Sequence, residues 1–436
     1  MRIRLLDDLL GLLGRGTEPR NALPVLSEAL LSDRGEASGV ALAREILNAY
    51  SRLLPEDRLG YLKLLDDRFG PDPARLERAI SAFRTRSDRA TAAELHAASE
   101  PRREELLRRL NLAPGGTLAL VRMREDLLRH LPTHPELSAL DGDFVRLFSS
   151  WFNRGFLELR RIDWTTPAHI LEKIIRYEAV HEITSWDDLR RRLEPPDRRC
   201  FAFFHPALVD EPLIFVEVAL SDEIPEAISP LLADGRPPLD PRRATTAVFY
   251  STSNCQDGLR GITFGHFLIK QVAEELKRDV PSLRTFVTLS PIPGFARWLR
   301  KEREAGTSRF LSSEEKKTLR RLDEPGWPEK PQATSALRPA LLSAVARYLL
   351  LAKGETGRPV DAVARFHLGN GARLERVNFL GDVSPKGLSQ AEGVMANYLY
   401  DLALVERNHE LYANRGEIMA SIKVRRHLRA APRRKG

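Results

Sequence analysis

Three groups of residues in this chain have the types and spacing to do chemistry. The first is Ser290. Phe286-Val287-Thr288-Leu289-Ser290 alternates in polarity and then meets Pro291-Ile292-Pro293-Gly294. Proline cannot extend a hydrogen-bonded ladder, so the strand is expected to stop at Ser290 and leave its hydroxyl at a strand end, where ligand clefts form in open sheets. The second is His367, in a stretch 363–368 that reads as a strand with Phe366 and Leu368 on one face and Val363, Arg365 and His367 on the other. Taken alone, a serine of this kind more often caps a turn, and such a histidine is more often structural. Converging, they would move a proton. The third is the glycine-bearing turn that holds Gly258, Gly261 and Gly265 ahead of a helix. Free amides and the helix dipole favour phosphate there, although the spacing fits neither GxxxxGK[ST] nor GxGxxG. Close packing explains those glycines as well.

Other chemistries are excluded by composition. Cys200 and Cys255 stand alone, without the spacing of a zinc site or a disulfide framework, so a reducing cytoplasm is expected. The formal charge of +8 is concentrated in residues 423–436, which carry seven basic residues and no acid. The remainder is nearly neutral, unlike a nucleic-acid binder with a basic face, and this tail is expected to be a solvated end. No apolar run approaches the length that crosses a bilayer, and Asp7 and Asp8 interrupt the leucine-rich start. Neither nucleic acid nor membrane is expected as a partner.

At 436 residues the chain is too long for one ordinary core. Residues 1–152 read as an all-helical bundle, with stripes such as Val40, Ala41, Ile46, Leu47 and Tyr50, and with Pro24, Pro55, Pro71, Pro101 and Pro114 marking boundaries. This half carries no chemical motif, so a structural or subunit-contact role is expected. Residues 153–436 read as α/β or α+β. A helix over 166–180 precedes strands at 200–204, 213–220 and 245–251. The glycine turn, a helix striped by Leu268, Val272 and Leu276, and a strand ending at Ser290 then complete a βαβ unit with parallel strands. A helical insertion is expected over 296–352, followed by two strands joined at Gly369-Asn370-Gly371.

Several stretches strongly resemble the malonyl-CoA decarboxylase family, collinearly from about Trp151 to Tyr400. Among them are FYSTSNCQDGLRGITFGHFLIKQV, LSPIPGFARWL, ARFHLGNGA and GVMANYLY. The resemblance implies an α+β chain: an N-terminal all-helical bundle, then an α/β domain of the GCN5-related acetyltransferase type with a helical insertion. By the same resemblance, the catalytic serine falls on Ser290 of LSPIPGF, the catalytic histidine on His367 of HLGNGA, and an active-site tyrosine on Tyr400 of ANYLY. The CoA pyrophosphate falls on the turn Arg260, Gly261, Ile262, Thr263, Phe264, Gly265 and His266. One position departs from the family, since mammalian members carry a glutamate where this chain has Thr263. The family also implies a homotetramer built as a dimer of dimers.

Malonyl-CoA decarboxylation requires little beyond such residues. Cleaving the bond between C2 and the carboxylate leaves an enolate on the thioester, which is its own electron sink, so no cofactor is expected and CoA belongs to substrate and product. The protein must orient the carboxylate, stabilise the enolate oxygen and protonate C2. His367, with a pKa near working pH, is the expected acid and Ser290 its partner. An acyl-CoA-dependent N-acyltransferase on the same fold and a non-catalytic CoA-sensing scaffold are the rivals. Release of CO2 without an amine separates decarboxylation from both.

Overall fold

The computed structural model describes residues 18–32, 35–262 and 268–428. These fall into two compact units. One draws on residues 1–158, 204–212 and 256–264, the other on 159–203, 213–255 and 265–436. Two short stretches from beyond residue 158 thus fold with the N-terminal helices.

The first unit is helical. Its described residues form α1 (Pro19–Leu31), α2 (Glu36–Ser51), α3 (Pro55–Arg68), α4 (Pro73–Thr85), α5 (Arg89–Ser99), α6 (Arg102–Asn111), α7 (Gly116–His130) and α8 (Ser138–Trp151). Local chemistry starts several of them. Pro19, Pro55 and Pro73 occupy first turns, the Asp72 side chain accepts from Arg75 N–H, and Asp88 and Thr91 form a reciprocal capping box. Pro24 corrects the expectation of a boundary, for it lies inside α1, where burial of Leu23, Leu26 and Leu30 outweighs the missing amide. The leucine stripe of residues 5–13 lies outside the described residues.

Among the described residues, the second unit is built on an eight-stranded mixed sheet. In chain order come β1 (Glu158–Ile162), α9 (Ala168–Tyr177), α10 (Trp186–Leu193), β2 (Arg198–Phe204), β3 (Pro212–Ser221), the short α11 (Ser229–Leu232), β4 (Thr246–Asn254), α12 (Leu268–Asp279), β5 (Thr285–Thr288) and β6 (Ser290–Pro291). Then follow α13 (Phe295–Glu304), α14 (Ser313–Leu319), α15 (Pro331–Leu350), α16 (Ala362–Gly369), β7 (Arg373–Asn378), α17 (Pro385–Ala391), β8 (Met395–Leu399), α18 (Val405–Arg415) and α19 (Ile422–Leu428). Strand order is β1-β2-β3-β4-β5-β8-β6, with β7 also on β8. β2 and most of β3 are buried without alternation, as strands covered on both faces should be. Val248, Tyr250, Val287, Leu289 and Met395 pack one face into a core.

β4 and β5 pair in parallel over Thr246–Phe249 and Thr285–Thr288, giving the expected βαβ unit. α13, α14 and α15 supply the helical insertion. Three expectations are corrected. Residues 362–369 form helix α16, not a strand. The strand reaching toward Ser290 ends at Thr288, after which Ser290 and Pro291 pair antiparallel with Ala396 and Met395. The tail is not wholly solvated: Val424 is fully buried in α19, and Ser343 of α15 donates to the His427 carbonyl, 2.9 Å away. Residues 429–436 lie outside the described residues.

Candidate active site

β4 continues five residues beyond its pairing with β5, remaining on β3 alone. A register shift near Glu217 and Val218 leaves Tyr250 as an extra residue on β4. This splaying opens a cleft of about 240 Å³. Phe249, Tyr250 and Ser251 form one wall, while Val363, Phe366 and His367 of α16 form another. Pro291 and Val180 also line it.

α16 places His367 on that wall for local reasons. The Asp361 side chain caps the helix by accepting from Ala364 N–H at 2.8 Å, and Ala364, His367 and Leu368 share the buried face at i, i+3, i+4. Gly371 follows at φ +82°, and any side chain there would overlap the Val405 carbonyl, so the helix must end in glycine.

The three residues implied as catalytic meet around the imidazole. Ser290 Oγ lies 3.1 Å from His367 Nε2, and Tyr400 Oη lies 2.8 Å from His367 Nδ1. Ser290 is on β6 and Tyr400 directly follows β8, two segments the sheet brings together. Of the three, His367 lines the cleft, while Ser290 precedes Pro291, which also lines it. Two residues that the sequence reading missed complete the arrangement. The Ser290 hydroxyl donates to Thr288 Oγ1 at 2.8 Å, and Thr288 Oγ1 also accepts from Tyr398 N–H at 3.1 Å. The Tyr398 ring stacks on the imidazole at 4.7 Å between centroids. Thr288 and Tyr398 each stand two residues before a recognised partner, a period-2 signal that was open to sequence reasoning.

Directionality follows from proton counting. Ser290 has one hydroxyl proton, and it points to Thr288, so Nε2 must be the donor toward Ser290 Oγ. His367 is then the Nε2–H tautomer, with Nδ1 accepting from Tyr400 O–H. Burial pushes the imidazole's pKa down to about 3. This corrects the expectation of a histidine poised near working pH: in the free protein the ring is neutral. Burial raises the Tyr400 and Tyr398 hydroxyls well above their ordinary values.

The Glu178 carboxylate accepts from Val180 and His181 N–H at 2.8 Å each and from Ser251 Oγ at 2.7 Å. Glu217, fully buried beside it, has its pKa pushed up to about 8 by burial and by Glu178, although Arg192 lies 3.1 Å away. Glu178 thereby ties together Val180 and Ser251, which both line the cleft.

The turn assigned to CoA pyrophosphate is described only in part. Thr263, Phe264, Gly265 and His266 lie outside the described residues. Of the described part, the amides of Arg260 and Ile262 already donate to the carbonyls of Asp257 and Leu259. Among the described residues of the turn, those two amides are thus engaged within the turn itself. Gly261 is exposed at φ +82°, and Arg260 is exposed beside it.

Comparison with known proteins agrees along the chain. Residues 155–436 match the model of the malonyl-CoA decarboxylase C-terminal domain and residues 69–152 that of the N-terminal domain. The chain is 58% identical to a malonyl-CoA decarboxylase from Rhodopseudomonas palustris of known crystal structure, covering 93% of this chain and 99% of that one, with a TM-score of 0.91. The Agrobacterium vitis crystal structure gives 59% identity, 93% and 99% coverage, and a TM-score of 0.89. Mitochondrial malonyl-CoA decarboxylase of Mus musculus is 32% identical, with 92% of this chain and 88% of that protein covered.

Proposed function

Because the chain belongs to the malonyl-CoA decarboxylase family, we propose that it converts malonyl-CoA to acetyl-CoA and CO2 and that His367, Ser290 and Tyr400 handle the proton. The observation that carries this reading is the hydrogen-bonded chain from Tyr400 through His367 to Ser290, with His367 on the cleft wall. As the bond from C2 to the carboxylate breaks, its electron pair moves into the thioester and CO2 leaves. The enolate then takes a proton at C2. A neutral imidazole is a poor acid by itself, but the malonyl carboxylate and the developing enolate bring negative charge into the cleft. An opposite charge nearby favours the imidazolium. His367 therefore takes a proton at Nδ1 through the Tyr400 hydroxyl, which is replenished from solvent, and gives its Nε2 proton to C2, ending as the neutral Nδ1–H ring that returns to its resting tautomer by exchange with solvent.

Tyrosine suits the Nδ1 position because its hydroxyl donates to the neutral ring and accepts from the imidazolium. A carboxylate there would favour the charged form and raise the ring's pKa. Ser290 fixes the Nε2–H direction and supplies a polar atom close to the reacting carbon. The thioester serves as electron sink, so on this reading no resident cofactor takes part. Family membership disfavours the N-acyltransferase rival. A homotetramer built from dimers is proposed from the family resemblance. The cytoplasmic reading rests on two buried free thiols, Cys200 and Cys255. Among the described residues no helix is long and apolar enough to cross a membrane.

The direct test incubates the purified full chain with malonyl-CoA, without amine, and follows acetyl-CoA. Turnover is expected at the same rate with and without EDTA. Loss in EDTA that zinc or magnesium restores would defeat the cofactor-free reading, and no acetyl-CoA at all would defeat the activity.

A further inference from the structure

Arg124 on α7 is a buried cation whose partners lie mostly far along the chain. Its side chain is 2% exposed. Nε bonds Asp141 Oδ1 at 2.8 Å, while Nη1 donates to the carbonyls of Gly258 at 2.7 Å and Arg260 at 2.9 Å. All of these groups lie in the helical unit, which includes the turn from Gln256. Burying a guanidinium is costly unless charge and hydrogen bonds compensate it. Here one carboxylate and two carbonyls do so. Gly258 shows how closely the turn is held, since a Cβ there would overlap the Val121 carbonyl oxygen of α7.

The consequence comes from peptide planarity. In a trans peptide the C=O and the following N–H point in opposite directions. With the Arg260 carbonyl drawn inward to Arg124, the Gly261 N–H is turned outward, on a residue that is exposed and left-handed at φ +82°. The neighbouring amides of Leu259, Arg260 and Ile262 all donate back into the turn. Gly261 N–H is thereby presented beside the exposed Arg260 side chain, a dipole and a cation suited to an anionic oxygen.

We propose that Arg124 is a positioning residue for the phosphate end of the CoA substrate, acting through the Arg260 carbonyl to aim the Gly261 amide. This rests on the decarboxylase reading for the identity of the ligand. It gives the helical half a part in substrate binding that its sequence, which lacks any chemical motif, did not announce.

The test compares two thioesters on the full chain. Malonyl-CoA carries the nucleotide phosphates and malonyl-pantetheine lacks them. Arg124→Leu is expected to raise KM for malonyl-CoA by roughly tenfold or more, the effect of losing an oriented charge-assisted contact. kcat should stay within about twofold and the malonyl-pantetheine parameters should be unchanged. Arg124→Lys, which keeps the charge and one donor direction, should recover part of the loss. Equal losses on both thioesters, or an unchanged KM for malonyl-CoA, would overturn the proposal. Calorimetry with CoA itself reads the same contact without turnover, so failure of the decarboxylase reading would leave a weakened or unweakened CoA affinity to decide the role of Arg124. Should Arg124→Leu not fold, Arg124→Lys and Arg124→Gln carry the same comparison.

Discussion

His367 is the proposed proton carrier of this site, and burial pushes its pKa down to about 3, so two measurements follow at the level of single residues. The first concerns coupling. Ser290, 77 residues away in sequence, is hydrogen-bonded to the same nitrogen that is proposed to protonate C2. His367→Asn is expected to abolish most turnover with little change in binding. Ser290→Ala should lower kcat by about 10²-fold, the range for losing one positioned donor. The double variant should be scarcely worse than the poorer single, because either loss breaks the same proton path. Multiplicative losses in steady-state rates would separate their roles. The second concerns pH. The ring titrates at about 3 in the folded protein and near 6.5 when unfolded. The unfolded chain therefore binds more protons between those values. Stability from burying the neutral ring is fully present above pH 6.5 and is lost as pH falls toward 3. Denaturant unfolding measured from pH 7 to pH 4 should decline less steeply for His367→Gln. The kcat/KM profile should show no inflection near 6.5 from the free protein, and an inflection there would contradict the buried neutral ring.

Elements decide how much of this site was legible beforehand. The βαβ unit was readable because 246–251 and 285–288 are rich in β-branched and aromatic residues and flank an amphipathic helix, and the structure pairs them in parallel. The segment 362–369 was misread because Val363, Arg365 and His367 alternate with Ala364, Phe366 and Leu368, a pattern that fits a strand. The decisive signal was Asp361, an N-cap whose bond to Ala364 N–H starts a helix. The buried set Ala364, His367 and Leu368 then follows the helical period. Burial of the ring depended on Tyr398, stacked from β8, and on Tyr400, contacts made across non-local strand pairing. Local pattern carries no such information. That is why the depressed pKa of His367 was beyond the sequence, whereas the meeting of Ser290, His367 and Tyr400 was implied by motif resemblance. Arg124 illustrates the same limit, since nothing near it in sequence marks a partner 134 residues away.

For the molecule as a whole, the two units do not follow the simple order of the chain. The helical unit contains residues 204–212 and 256–264 in addition to the first 158. Leu208 and Leu259, both buried, sit in those two stretches. In the same unit His205 reaches the Trp151 carbonyl at 3.0 Å, and Arg124 holds Gly258 and Arg260. A chain beginning near Phe152 would strip these segments of the helices that satisfy them. It would leave the carbonyls of Gly258 and Arg260 without their guanidinium and expose apolar surface that is covered in the intact protein. Removing the helical half should therefore do more than alter subunit assembly. A truncated protein starting at Phe152 is expected to lose most of its CoA affinity and to aggregate or unfold at a lower temperature than the full chain. Calorimetry with CoA, thermal unfolding and sizing chromatography read these three effects separately. A truncated protein that stays monodisperse, binds CoA as the full chain does and differs only in oligomeric mass would show that the helices serve assembly alone. The turn would then keep its shape without Arg124.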